Sequence, residues 1–174
     1  MKTKHANTKT GQAGSSGYLR KSMYLASVLL AGGAAMADAS PAKLIGVWKN
    51  DVQNVDCADF AQPLGTPFIG LHTYYSDGNL LQVSFGNPLA GNMSQGRWSK
   101  AGKNRYSART ESPKFDVNGF YAGYIILERM ITVAKDGQSL EFKARGSFFS
   151  VDDQYLGTSC AVGSGVKVPE PTPF

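Results

Sequence analysis

The feature that most constrains this chain is a set of three turn dipeptides, Asp77-Gly78, Asn118-Gly119 and Asp136-Gly137. Tight hairpin turns need a positive φ at their centre, which Gly, Asn and Asp tolerate best. Each dipeptide separates runs that are rich in Tyr, Phe, Ile, Val and Thr, as half-buried strands are. No segment of 11 or more residues beyond residue 37 has the apolar period of a helix. The pattern predicts an all-β protein built from antiparallel hairpins.

About eight strands are predicted, in simple up-and-down order. Because edge strands leave backbone groups unpaired, this number favours closure into an antiparallel barrel, filled by side chains or holding one small ligand. The only helix candidate is the short stretch Cys57–Gln62. The strands are expected at Leu44–Asn50, Phe68–Tyr75, Asn79–Phe85, Ser94–Lys100, Arg105–Glu111 (with 114–117 as a possible extension), Phe120–Ala134, Gln138–Ser150 and Tyr155–Val162.

Residues 1–37 have the pattern of a secretory signal peptide. Arg20 and Lys21 precede an uncharged run, Met23–Ala37, and Ala35-Met36-Ala37 resembles a cleavage site. The run has about 15 residues, fewer than the roughly 20 that span a bilayer, although an uncleaved anchor is the alternative. We therefore expect a secreted or periplasmic protein. Its barrel domain would occupy 38–166, and 167–174 would be a Pro-rich disordered tail.

The charge of the chain is concentrated in this leader. The whole sequence has 18 basic and 13 acidic residues, but five of the basic ones precede Asp38, the first acidic residue. The rest of the chain is balanced, at 13 of each sign. We therefore expect no nucleic-acid partner. Strands as charged as 94–100 and 105–111 also predict no stable membrane insertion after signal cleavage. No sequence feature sets an oligomeric state.

Cys57 and Cys160 are the only cysteines, and they are 103 residues apart. An even number of cysteines in an exported chain favours one disulfide, which would tie the first strand region to the last. Two buried thiols are the alternative. The chain has no Cys-x-x-Cys and only one histidine beyond residue 37, so we expect no metal site and no cofactor.

The segment Leu44-Ile45-Gly46-Val47-Trp48 places a Gly-x-Trp motif on the first strand. In this setting the chain resembles the calycin superfamily, and in particular exported bacterial lipocalin-like domains of unassigned function. The resemblance implies a barrel in which Gly46 allows a close approach of the chain and Trp48 plugs the closed end. A basic residue that packs on this tryptophan could be Arg145. The chain departs from true lipocalins because it has no Thr-Asp-Tyr motif and no C-terminal helix.

Six residues are candidates for ligand binding. His72 shares a strand face with Tyr74, and it could be a general base or polar anchor in a cavity, or a merely hydrogen-bonded or surface histidine. Glu128, on one face with Tyr124, could bind or protonate a ligand if it points inward, or pair with a lysine if it points outward. The last two candidates are Trp98 and Phe142, of which Phe142 lies on the apolar face of Gln138–Ser150. Four aromatic residues are expected in the core, or alternatively in a ligand cage; they are Trp98, Tyr106, Phe115 and Tyr155.

Three functions fit these residues. The first is a barrel that binds a small hydrophobic or amphipathic molecule in its interior. The second is a cyclase or isomerase that uses His72, Tyr74, Tyr124 and Glu128 as acid/base groups. The third is a filled barrel that serves as a structural or interaction module. A cavity of several hundred Å³ would favour the first two over the third.

Overall fold

The computed structural model of the chain describes residues 42–90 and 92–172. Each strand is antiparallel to both neighbours, and β1 pairs with β8 to close the barrel. A single 3₁₀ turn, Pro88–Ala90, follows β3. The predicted eight-stranded, all-β, up-and-down barrel is confirmed. The strands are β1 (Gly46–Val55), β2 (Phe68–Tyr74), β3 (Asn79–Ser84), β4 (Met93–Lys100), β5 (Arg105–Phe115), β6 (Tyr121–Val133), β7 (Ser139–Phe149) and β8 (Tyr155–Lys167).

The three predicted hairpin turns form where expected. The glycine of each dipeptide has a positive φ. The side chains of Asp77, Asp116 and Asp136 each accept a hydrogen bond from the backbone N–H two residues further on. Asp116 also accepts one from the N–H of Phe120, four residues further on. These Asx turns fix hairpin register, because the turn sets which residues of the two strands face each other.

Three local predictions are wrong. β8 continues to Lys167 rather than ending at Val162, because its second half pairs with β1 and with the start of β7. β1 continues to Val55 rather than ending at Asn50, because its polar second half pairs with β8. The segment Cys57–Gln62 is not a helix but a series of bends and turns. It reverses the chain, since Val55 bridges to Pro63 and the Leu64 N–H donates to the Asn54 carbonyl at 2.8 Å. Local backbone pairing thus overrides a weak helical tendency.

The expected disulfide is present between Cys57 and Cys160. It attaches the β1–β2 connection to β8, where Cys160 is buried. The Lys143 ammonium lies 5.2 Å from the ring centre of Phe60, which holds the same connection against β7. The connection therefore lies on the outer wall of the barrel.

One end of the barrel is plugged by apolar side chains. Trp48 is completely buried, and its indole N–H donates to the Leu44 carbonyl at 2.8 Å. Gly46 has φ +126°, and a Cβ there would lie 2.8 Å from Cε of Lys167. The plug also contains Leu80, Tyr106, Ile131, Val133 and Leu140. The close approach at Gly46 and the burial of Trp48 agree with the resemblance to lipocalin-like barrels.

The basic residue that packs on Trp48 is Lys167, not Arg145. The Lys167 ammonium lies 5.7 Å from the ring centre of Trp48. Arg145 points outward on β7 and is exposed, as the alternation of that strand predicts. The reason is register: β8 ends beside the start of β1, so Trp48 pairs with Lys167.

The chain leaves the barrel after Lys167, the last residue of β8. The Val168 N–H still donates to the Val47 carbonyl at 2.8 Å. Residues 169–172 follow without regular secondary structure. The predicted leader 1–37 and the end of the predicted tail, 173–174, lie outside the described residues. Within 42–90 and 92–172, no helix is long and apolar enough to cross a membrane.

Candidate functional site

The middle of the barrel interior is lined by polar rather than apolar side chains. Strand alternation turns one polar side chain inward on each of several strands. All of them are at most 8% exposed, although nothing in their sequence positions marks them as a group. This polar layer, which lies next to the Trp48 plug, consists of Asn50, His72, Gln82, Thr110 and Arg129.

Arg129 is the central residue of the polar layer. In register with it stand two small residues, Ala108 on β5 and Ala144 on β7, which leave room for its long side chain. It is 4% exposed; its Nη2 donates to Oε1 of Gln82, whereas Nη1 has no partner. The guanidinium carbon lies 5.9 Å from the ring centre of Phe142.

No carboxylate balances this buried charge within the described part of the chain, where every aspartate and glutamate is at least partly exposed. Burial lowers the pKa of Arg129, but arginine stays protonated in proteins. A buried cation without a counter-ion costs several kcal/mol unless another group satisfies it. Arg129 is therefore the strongest sign of a ligand site in this molecule.

His72 and Tyr74 form a second buried pair beside Arg129. Both are 1% exposed, and the Tyr74 hydroxyl lies 3.5 Å from Nδ1 of His72. Burial, followed by the charge of Arg129, holds the pKa of His72 well below its usual range, so the imidazole is neutral. Burial raises the pKa of Tyr74 to about 12, so its hydroxyl stays protonated. Nε2 of His72 has no partner.

A cavity of about 80 Å³ adjoins the polar layer on the side away from the plug. His72, Gln82 and Arg129 line it together with apolar side chains. Asn54, another lining residue, is exposed, so the cavity reaches solvent at this open end. It has room for a few water molecules or a short polar group, and it is smaller than a typical drug-sized pocket. The apolar part of its wall includes Val52, Phe68, Leu127, Phe142 and Ala144.

The open end is rimmed by exposed apolar side chains. They lie on or beside three strand connections, and two of them, Val117 and Phe120, are 83% and 71% exposed. An apolar chain that leaves the cavity would pass this rim on its way to solvent. The other rim residues are Phe85 just after β3, Met93 at the start of β4, Val151 between β7 and β8, and Leu156 near the start of β8.

Tyr124 and Glu128 lie on the outer wall, so the inward alternative for this pair is wrong. Glu128 pairs with Arg109 at 3.0 Å, and both side chains are more than half exposed. The outward alternative is realised, with an arginine in place of the expected lysine. The Tyr124 hydroxyl donates to Oδ1 of Asp153 at 2.9 Å, and its ring stacks on Phe149. His72 and Glu128 therefore do not converge.

The remaining candidates divide between the plug and the cavity. Trp98 is half-buried at the plug end, where its indole N–H donates to the Tyr75 carbonyl and its ring packs edge-on against Tyr106. Phe142 lines the cavity, 5.8 Å from the ring centre of His72. Tyr155 was expected in the core but is exposed, because it lies at the start of β8 on the rim.

Sequence reasoning missed Arg129 and Gln82. A signal for Arg129 was present, since it shares a strand face with Gly123, Ile125, Ile131 and Val133, and that face is more apolar than the one with Glu128. The more apolar face turns inward. Gln82 had no comparable signal, because its β3 run is too short to fix which face is buried.

Two larger hollows, of about 710 and 730 Å³, lie on the outer wall. Both border the outward-facing side chains of Met130 and Lys143, and neither is lined by His72 or Gln82. Arg129 also contributes to the lining of the second hollow and Phe142 to that of the first. Of the three spaces, however, the interior cavity is the one that brings His72 and Gln82 together with Arg129, so it is the better candidate despite its size.

Models of known protein families do not match this chain, and a search of the curated proteins finds no similar sequence. A barrel of this kind supports many activities, so function must be argued from the interior site.

Proposed function

We propose that this protein is an exported, lipocalin-like barrel of the calycin type that binds a small amphipathic molecule through a negatively charged head group. The observation that carries the proposal is Arg129, a buried cation with an unpaired Nη1 beside a cavity. An anion there would form charge-assisted hydrogen bonds in a low-dielectric interior, where they are strongest.

The surroundings of Arg129 favour an amphipathic ligand over a bare ion. The cavity holds only a head group, and its wall combines the polar side chains beside Arg129 with apolar ones such as Phe68 and Leu127. The apolar part of the molecule would pass Phe68 and Leu127 and leave through the open end, where the rim side chains are exposed. Such a ligand buries apolar surface at about 25 cal/mol per Å² while its charge stays paired.

Export is supported by two independent features. The leader pattern of residues 1–37 precedes the barrel, and the Cys57–Cys160 disulfide suits an oxidising compartment. The Gly46–Trp48 plug supports the calycin relationship, since it closes one end of the barrel and leaves the other for a ligand.

Isothermal titration with octanoate and octanol tests the proposal. We expect octanoate to bind the full chain and octanol, which lacks the charge, to bind at least about tenfold more weakly. Arg129→Met should abolish the preference. Glu128→Gln is the matched control, since it removes a charge from the adjacent position on the outer wall, and it should bind like the wild type. Equal binding of both probes, or full octanoate binding by Arg129→Met, would contradict the proposal.

The filled interaction module is the second candidate, and the small size of the cavity favours it. It predicts no binding of either probe and no small molecule in extracts of protein purified from its native compartment, as judged by mass spectrometry. The enzyme alternative retains only His72 and Tyr74 inside the barrel, since Tyr124 and Glu128 lie outside.

A further inference from the structure

We infer that His72 is a second contact for the same head group and helps to determine which head group is bound. Tyr74 positions the His72 side chain, and binding of a carboxylate is coupled to proton uptake by His72. This inference rests on the proposed function, because it requires an anion at Arg129. It starts from Nε2 of His72, which, like Nη1 of Arg129, has no hydrogen-bond partner and belongs to a residue that lines the cavity.

Tyr74 determines which nitrogen of His72 can donate. Its protonated hydroxyl lies 3.5 Å from Nδ1. We assign the hydroxyl as the donor to Nδ1, and this tautomer leaves the imidazole hydrogen on Nε2. Nε2 is turned away from Tyr74 and toward Gly70, which lies two residues closer to the open end. It is 3.1 Å from the position that a Cβ at Gly70 would occupy. The buried donor therefore faces the cavity side of the ring.

His72 and Arg129 lie against one common ring. The imidazole centre is 5.8 Å and the guanidinium carbon 5.9 Å from the ring centre of Phe142. Each offers one unpaired donor, Nε2 and Nη1 respectively. A carboxylate has two acceptor oxygens and no donor, so it can satisfy both. An alcohol has no negative charge to balance the charge of Arg129. An amide would place its own N–H donor against Nε2 or Nη1.

The same arrangement couples binding to pH. The groups that act on His72 are Tyr74 from its own strand and Arg129 from β6, while β1, β3 and β7 present only Trp48, Gln82 and Phe142, which do not titrate. In the empty barrel the charge of Arg129 opposes protonation of His72. A bound carboxylate offsets that charge and favours the imidazolium. The bound form therefore takes up a proton at a higher pH than the free form, and affinity rises as the pH falls.

Titration of the full chain with octanoate in buffers of different ionisation enthalpy tests this coupling between about pH 8 and about pH 6, where octanoate itself stays ionised. We expect proton uptake that grows as the pH falls. His72→Gln has an amide that can still donate a hydrogen bond but cannot take up a proton, so it should show no proton uptake and no rise in affinity as the pH falls. Tyr74→Phe should keep the proton uptake but bind a few-fold more weakly, because Nδ1 then competes for the hydrogen.

The outcomes separate this inference from the proposed function. If the wild type binds octanoate, Arg129→Met does not, and His72→Gln matches the wild type in affinity and proton uptake, the role of His72 is wrong and that of Arg129 stands. If the wild type does not bind octanoate, both are wrong. Histidine-labelled NMR of the wild type gives a readout that needs no variant to fold: the His72 resonance should titrate at a higher pH with octanoate than without it, and an unchanged titration would overturn the inference.

Discussion

The guanidinium of Arg129 lies 5.9 Å from the ring centre of Phe142, deep in a barrel where it has Gln82 as its single side-chain acceptor. A cation–π contact and one neutral acceptor do not replace the hydration that a guanidinium loses on burial. We therefore expect the ligand-free barrel to be less stable than the same barrel with an apolar side chain at this position.

Arg129→Met should raise the free energy of unfolding of the ligand-free protein by about 1–3 kcal/mol, because it replaces an unbalanced charge by an apolar side chain of similar length. Urea denaturation followed by circular dichroism measures this change. A loss of stability as large as that of a core truncation, about 3–5 kcal/mol, would show instead that the guanidinium is a structural part of the empty barrel.

Stability should also fall in acid because of His72. Its pKa in the folded protein is lowered well below 6.5, so the unfolded chain binds the proton more readily than the barrel does. The stability that comes from the neutral imidazole is complete above about pH 7 and is lost as the pH falls below the unfolded value, at up to about 1.4 kcal/mol per pH unit. Denaturation midpoints of the wild type and of His72→Gln, compared between about pH 7.5 and about pH 5, measure this difference. Parallel slopes in the two proteins would mean that the pKa of His72 is the same in the barrel as in the unfolded chain.

The Cys57–Cys160 disulfide should contribute substantially to stability. It closes a loop of 103 residues, and constraint of the unfolded chain by a loop of that size contributes at most about 4.7 kcal/mol, and typically 2–4. The double variant Cys57→Ser/Cys160→Ser should lower the free energy of unfolding by about that typical amount without changing the strand content. Unchanged stability in the variant, or in the wild type after reduction, would show that residual structure already holds these ends close in the unfolded chain.

Lys167 should stabilise the plug, whereas Arg145 should not. Lys167→Ala removes an ammonium over Trp48 together with the methylene chain beside Gly46, so we expect a loss of about 0.5–1 kcal/mol. Arg145→Ala, on the outer wall, should change stability by less than about 0.5 kcal/mol. Thermal unfolding followed by tryptophan fluorescence compares the two variants; an equal effect of both would remove the special role of the Lys167–Trp48 contact.

The strands and hairpins were predictable because they depend on local information. Turn dipeptides fix where the chain reverses, and alternation with a period of two, as in β7, fixes which side chains point inward. The disulfide followed from an even cysteine count, and the plug from the position of Trp48. The end of β1 and the turns of 57–62 were not predictable, since their backbone partners are β8 and β1 itself.

The sequence by itself determined an antiparallel β-protein with a buried Trp48 and a single cross-link. Only the tertiary structure decided what its interior can bind. Both faces of β6 are apolar apart from one charge each, and the slightly more apolar face of Arg129 was only a weak signal for which of the two charges would be buried. Barrel closure decided it, because it turned Arg129 toward Gln82, which is 47 residues away in the sequence. Glu128 then faces solvent, where it pairs with Arg109. The charge inside the barrel is a consequence of register between distant strands, which no local period encodes.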